Sequence, residues 1–166
     1  MKGAGRYFYV AFRKIIWVNV FMSKELSNAK KLLEDGSGTL AVVNGERSFI
    51  SHERGIKPLL GLLRNNPELL KGAYIADKVT GRASAWLLVA GGVRMLYTEV
   101  LSRHAAKVLE DNGIPFEYGK MTDGIVNRRG DGPCPMESAT AGCSSPEQAI
   151  AAIEKKLAEL AAGATN

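Results

Sequence analysis

The stretch from residue 76 to residue 88 constrains the fold more than any other part of this 166-residue chain. It reads Ala-Asp-Lys-Val-Thr-Gly-Arg-Ala-Ser-Ala-Trp-Leu-Leu, which predicts a short polar turn leading into an apolar helix. After Ser84 this helix has no polar face, and a helix that is apolar on all sides is buried. The chain must therefore supply a layer that covers the helix, and a β-sheet is the simplest candidate.

The segments around this helix alternate between strand and helix patterns. Asn44-Gly45 lies between two apolar runs and is a strong signal for a β-hairpin. Strand–helix–strand crossovers follow the hairpin, and this combination predicts a three-layer α/β/α domain with a mixed sheet. The predicted helices are 23–35, 55–64, 81–90, 102–112 and 146–162, and the predicted strands are 39–43, 46–51, 73–76, 95–100 and 116–121.

Length and charge narrow the class of protein. The length suits one domain, which we expect to span residues 23–163 and to include a long loop at 122–145. The formal net charge is +5, but residues 1–22 carry four basic and no acidic side chains. The rest of the chain is nearly neutral, so we do not expect it to bind nucleic acid.

The first 22 residues read as an extension of the domain. Residues 7–22 are largely apolar, but the Arg13-Lys14 pair interrupts them, whereas a spanning helix needs about 20 apolar residues. We therefore expect no membrane-spanning segment. Three interpretations are open: a peripheral helix on a membrane surface, an extra packed element, or a segment upstream of a native start at Met22.

Cysteine and histidine usage argues against a disulfide scaffold and against a zinc site. The two cysteines, Cys134 and Cys143, are too few to staple a secreted domain, so we expect free thiols and a cytoplasmic protein. His52 and His104 do not form the paired spacings with cysteine or histidine that structural zinc sites use. We expect neither a metal nor a cofactor.

The polar turn before the apolar helix has the chemistry of an anion site. The first N–H groups of a helix lack internal partners and carry partial positive charge. Lys78 and Arg82 add full charges, Asp77 adds a carboxylate, Thr80 is placed to cap the helix, and Gly81 leaves its start accessible. The alternative is that Thr80 is only a cap and that the charged side chains are solvated.

The loop at 122–145 contains a second candidate site. Cys134 lies between two prolines, Arg128 and Arg129 are close in sequence, and Glu137 follows three residues later. This arrangement suits a thiol nucleophile or a loop that holds a ligand. The alternative is a rigid turn with a buried thiol, because free cysteine is often buried.

Three short motifs together resemble a known family. Residues 77–83, 99–102 and 132–137 are similar to an uncharacterised family of small prokaryotic proteins with a cytidine-deaminase-like fold. The resemblance implies a cleft between two helix N-termini, lined by Asp77, Lys78, Ser102 and His104. True deaminases place zinc ligands and a glutamate at these helix starts. Those residues are absent here, so the resemblance does not imply zinc-dependent deamination.

These observations favour a site for a nucleotide-like or other anionic small molecule. The alternatives are a thiol-dependent enzyme or sulfur carrier that uses Cys134, and a non-catalytic regulatory or self-associating protein. Whether the protein is an enzyme, and whether it forms a homo-oligomer, is left open. The candidate catalytic residues are Asp77, Lys78 and Cys134, and the candidate ligand-binding residues are Thr80, Gly81, Arg82, Ser102, Asn127, Arg128 and Glu137.

Overall fold

The computed structural model describes residues 7–9 and 24–163 of the chain. Residues 7–9 form a short strand that the sequence patterns did not predict. The other predictions for residues 1–22 lie outside the described residues. In the described part of the chain, no helix is long and apolar enough to cross a membrane.

Seven helices and six strands alternate along the described residues. Most predicted elements are confirmed, with ends that shift by a few residues. The strands are β1 (Tyr7–Tyr9), β2 (Leu40–Asn44), β3 (Arg47–Ser51), β4 (Tyr74–Thr80), β5 (Met95–Ser102) and β6 (Phe116–Thr122). The helices are α1 (Lys24–Asp35), α2 (Lys57–Asn65), α3 (Pro67–Leu70), α4 (Arg82–Gly91), α5 (Arg103–Asp111), α6 (Pro135–Ala139) and α7 (Pro146–Gly163).

The strands form one mixed sheet in the order β1-β6-β5-β4-β2-β3. The three neighbours β4, β5 and β6 run parallel, whereas β2 is antiparallel to both β3 and β4. Strand β1 is antiparallel to β6. The predicted α/β class with a mixed sheet is therefore confirmed.

Helices cover both faces of the sheet. On one face, α1 packs through Ala29 and Leu33 against β2 and β4. On the other face, α4 and α5 cover the parallel strands, and the larger core lies between these helices and the sheet. Trp86 and Leu87 of α4 are buried, which confirms the prediction that this apolar helix is enclosed.

The predicted polar turn at residues 77–80 is wrong, because these residues are the last part of β4. Asp77 pairs with Leu40 of β2 on one side and with Thr98 of β5 on the other. Backbone pairing on both sides satisfies the strand's N–H and C=O groups, and it outweighs the local preference of polar residues for a turn.

Two further predictions are corrected. In the hairpin, Asn44 pairs with Arg47, so the turn consists of Gly45 and Glu46 rather than Asn44 and Gly45. Gly45 has φ +61°, a conformation that glycine adopts without strain. The loop at 122–145 also contains α6, which five residues are too few to reveal by hydrophobic periodicity.

Candidate functional site

Two helices begin side by side at the carboxyl ends of the parallel strands. Helix α4 follows β4 directly, and α5 follows β5 directly. The Ser102 hydroxyl oxygen accepts a hydrogen bond from the Ala105 N–H at 3.0 Å, so Ser102 caps α5, and the predicted start of this helix at residue 102 is confirmed. Gly81 is the cap residue of α4 and has no side chain to accept such a bond. The first N–H groups of α4 therefore need an acceptor from elsewhere.

The Glu137 carboxylate supplies that acceptor. Its Oε1 atom accepts hydrogen bonds from the Ser102 hydroxyl and, at 3.3 Å, from the Arg82 N–H. Its Oε2 atom accepts from the Ile125 N–H at 2.5 Å. Glu137 is only 6% exposed, and the partial positive charge at two helix starts stabilises its negative charge. We call these four residues the carboxylate cage.

The carboxylate cage revises the predicted anion site. The donors converge as the sequence indicated, but the anion that they hold is the chain's own carboxylate. Arg82 also contributes its side chain, because Nη1 donates to the Glu137 carbonyl oxygen at 3.4 Å. Arg82, Ser102 and Glu137 are therefore brought together, although 55 residues separate the first from the last.

His104 lies beside the carboxylate cage. Its Nδ1 atom is 3.4 Å from Oε1 of Glu137, and its side chain is 48% exposed. The sequence placed His104 in a cleft with Asp77, and the structure gives it Glu137 as its charged neighbour. The sequence indicated a place near the site for His104 because this residue lies two positions after the cap of α5.

Asp77 and Thr80 form a separate pair next to the start of α4. The Thr80 hydroxyl donates to Oδ2 of Asp77 at 2.9 Å, so Thr80 is not the predicted helix cap. Burial raises the pKa of Asp77 to about 7, and nearby Glu99 adds to the rise. Hydrogen bonds from Thr80 and from the backbone oppose it. Asp77 can therefore exchange a proton near neutral pH.

Lys78 lies between these two residues on β4 and is half-buried. Its backbone N–H donates to the Thr39 carbonyl oxygen at 3.0 Å, which continues the pairing of β4 beyond the start of β2. The residue therefore belongs to a strand end, and not to the polar turn that the sequence predicted.

The residues between β6 and α6, 123–134, form a segment that we call the roof. Ile125 packs against Gly81, where a Cβ atom would lie 3.0 Å from Cγ1 of Ile125. Cys134 is half-buried, and its N–H donates to the Ile125 carbonyl oxygen at 2.8 Å. The roof thus packs Ile125 against the start of α4, where glycine at position 81 permits the approach, and Cys134 is joined to Ile125 by a backbone hydrogen bond.

Two predicted ligand-binding residues are engaged elsewhere in the roof. The Asn127 side-chain oxygen accepts from the N–H groups of Arg129 and Asp131, at 3.1 and 3.3 Å. Arg128 donates to the Arg54 carbonyl oxygen at 3.2 Å, which ties the roof to the loop after β3. Arg129 pairs with Asp131 at 3.4 Å. These contacts shape the roof and do not bring Asn127 or Arg128 to the carboxylate cage.

The sequence interpretation missed Ile125 as a site residue. It contributes a backbone N–H, and the residue type gives no indication of such a role. Gly124 was missed for a similar reason. A Cβ atom at Gly124 would lie 3.5 Å from Oε2 of Glu137 and 3.8 Å from the His104 ring. Among residues 24–163, no group of three His, Cys, Asp or Glu side chains is arranged to hold a metal ion.

Comparison with known proteins identifies the family of the chain. Residues 28–157 match the profile of a family described as a domain of unknown function, DUF1893. The chain belongs to this family. Its structure is similar to the crystal structure of a DUF1893 family protein, TM1506, from Thermotoga maritima, with a TM-score of 0.74 and 27% sequence identity. The match covers 81% of this chain and 90% of that chain. A search of curated proteins found no match.

Proposed function

We propose that this DUF1893 domain binds an anionic, nucleotide-like small molecule at the carboxyl ends of β4 and β5. The observation that carries the proposal is the convergence of the α4 and α5 starts with the roof at one polar position, the carboxylate cage. Open α/β sheets bind ligands at the carboxyl ends of their strands.

The side chains around the carboxylate cage suit a ligand with charged and apolar parts. Arg82 provides positive charge at the start of α4, and Lys78 lies near the end of β4, four residues earlier in the chain. Three large apolar side chains are exposed in the described part of the chain, and two of them belong to this region. Val79, 44% exposed, lies near the end of β4, and Val126, 64% exposed, lies in the roof. Exposed apolar side chains beside positive charge fit the base and the phosphate of a nucleotide.

Glu137 restricts where the proposed ligand can bind. Because its carboxylate already satisfies the helix starts, the ligand's anionic group meets the Lys78 and Arg82 side chains instead of backbone amides. Asp77, with a pKa near 7, then donates a hydrogen bond to the ligand below that pH and accepts one above it.

Isothermal titration calorimetry against a panel of nucleosides and nucleotides tests this proposal. We expect at least one nucleotide to bind, and Lys78→Ala to weaken its binding about tenfold, the effect of losing roughly 1.4 kcal/mol. Lys71→Ala is the matched control, because Lys71 is exposed at the end of α3, before β4 begins. Binding by no member of the panel, or equal binding by Lys78→Ala, contradicts the proposal.

The thiol-dependent alternative also has an observation in its favour. The bond from Cys134 to Ile125 places the thiol-bearing residue in the roof, close to the proposed ligand position. Its test is the rate of alkylation by iodoacetamide at neutral pH, with Cys143, which is also half-buried, as internal control. An activated Cys134 reacts faster than Cys143, and equal rates remove the reason for this alternative.

A further inference from the structure

We propose that His104 and Glu137 form an acid–base dyad, in which the Nε2 atom of His104 accepts a proton from the bound ligand or from a water molecule beside it. The inference rests on the proposed function for the identity of the ligand. It adds a chemical activity, proton transfer, to a site that has so far been described only as a binding site.

The first support is the fixed position of the carboxylate. Three donors from three different parts of the fold hold Glu137: the Ser102 hydroxyl, the Arg82 N–H and the Ile125 N–H. The side chain is almost fully buried, so water competes little for its oxygens. A carboxylate that cannot turn away is able to orient a neighbouring imidazole, as the acid does in hydrolase triads.

The second support is the position of the histidine. Nδ1 lies 3.4 Å from Oε1 of Glu137 and the side chain is 48% exposed, so we assign Nε2, on the far side of the ring, to the ligand. The separation is longer than an ordinary hydrogen bond, as is common for acid–base pairs before a ligand binds. A proton on Nδ1 is attracted to the carboxylate. The neutral ring then carries its lone pair on Nε2, where it can act as a base.

Ser102 is excluded as the nucleophile of this arrangement. Its hydroxyl donates to Glu137 and its oxygen accepts from Ala105, so both functions of the group are used inside the fold. The proton that the dyad takes therefore comes from a ligand hydroxyl or from a water molecule beside the ligand.

The proton balance is simple. An O–H bond of the ligand or water breaks, its electron pair stays on the oxygen, and the proton forms an N–H bond at Nε2 of His104. The imidazolium that results is stabilised by the Glu137 carboxylate, which keeps its own charge and takes no proton. The proton on Nε2 then returns to the same oxygen or passes to solvent, which restores the neutral ring.

Long-range proton–nitrogen NMR of the two histidines tests the dyad without any ligand. At pH 8, the dyad predicts that neutral His104 carries its proton mainly on Nδ1. His52, which is exposed after β3, is the internal control and should carry its proton mainly on Nε2, as free histidine does. We expect the ratio of the two tautomers to differ roughly tenfold between the residues, which corresponds to about 1.4 kcal/mol.

Two variants separate the dyad from a merely structural contact. Glu137→Gln should return the His104 tautomer ratio to that of His52, whereas Ser102→Ala should leave the Nδ1 proton in place. If His104 and His52 have the same ratio in the wild-type protein, the inference is overturned, and this result does not depend on whether a variant folds. Because the spectra need no ligand, failure of the dyad is distinct from failure of the calorimetric test.

Discussion

Glu137 and Glu117 are both 6% exposed, yet the fold accommodates their carboxylates in different ways. Glu137 is held by neutral donors from the starts of two helices and from the roof. Glu117, on β6, forms an ion pair with Lys30 of α1. Its second oxygen, Oε1, is buried and has no hydrogen-bond partner among the described residues. Equal burial of the same residue type therefore does not imply an equal environment.

The Glu117 environment joins α1 to the sheet. The Lys30 ammonium lies 4.2 Å from the centroid of the Tyr97 ring, in addition to its pairing with Glu117. Burial raises the pKa of Tyr97, and the charges of Glu99, Glu34 and Glu117 raise it further. The Lys30 side chain is therefore the cation that compensates the charge of Glu117, whereas hydrogen-bond donors from several elements compensate the charge of Glu137. The comparison shows that the carboxylate cage is a property of the fold and not of a single partner.

The largest expected loss of stability follows from removing the Glu137 carboxylate from the carboxylate cage. Glu137→Ala removes the acceptor from one hydroxyl and two backbone N–H groups, and each buried group left unsatisfied costs about 1–3 kcal/mol. We expect the free energy of unfolding to fall by about 3–6 kcal/mol in urea denaturation. Glu46→Ala, in the exposed hairpin turn, is the control and should change it by less than about 0.5 kcal/mol. A loss below about 1 kcal/mol at Glu137 would show that the cage contributes little to stability.

A slightly smaller loss of stability is expected when the Lys30–Glu117 ion pair is broken. Lys30→Met leaves the Glu117 carboxylate buried without a counter-charge, which should cost about 2–4 kcal/mol. Adding Glu117→Gln to this variant should recover much of the loss, because no buried charge then remains. The adjacent exposed residue supplies the control, Lys31→Met. If Glu117→Gln recovers nothing, the ion pair is not the reason for the loss.

A comparison of two capping serines separates the contribution of a helix cap to stability from that of the hydrogen bond to Glu137. Ser102→Ala loses both the cap and the hydroxyl that donates to Glu137, so we expect a loss of about 2 kcal/mol. Ser145→Ala is the matched variant, because Ser145 is half-buried and caps α7 by accepting from the Gln148 N–H at 3.3 Å. It should cost about 1 kcal/mol. Equal losses in the two variants would mean that the bond to Glu137 adds nothing.

Asp77 is a third acidic residue, has no ion-pair partner among the described residues, and gives the smallest expected effect on stability. Its pKa is about 7 in the folded protein, against an ordinary aspartate value of 3.8, so the unfolded chain releases this proton at lower pH. Its contribution to stability is therefore full below about pH 4 and is lost as pH rises through 7. Because the side chain is only half-buried, we expect a loss of about 1 kcal/mol between about pH 5 and pH 8.

Urea denaturation of wild-type protein and of Asp77→Asn at both pH values measures this contribution. The amide keeps an oxygen to accept from Thr80 but does not titrate, so the variant should lose less stability than the wild type over this range. Parallel pH dependence in the two proteins would show that another group is responsible.

Much of the local structure was predictable because its signals act over a few residues. The helix that starts at Ser102, the buried helix that contains Trp86, and the helix that starts at residue 146 were each predicted and are present. Glu137 was named as a site residue from its motif, but its role was not. The end of β4 was predicted wrongly because its conformation depends on pairing with β2 and β5, which lie elsewhere in the sequence.

The sequence by itself therefore determined the order of most elements, the α/β class and the family to which the domain belongs. Only the tertiary structure decided which group occupies the two helix starts. The donors that hold Glu137 lie 55, 35 and 12 residues before it in the chain. Because a buried carboxylate is stable only where such donors converge, its position depends on the assembled sheet and helices, and no local pattern specifies it.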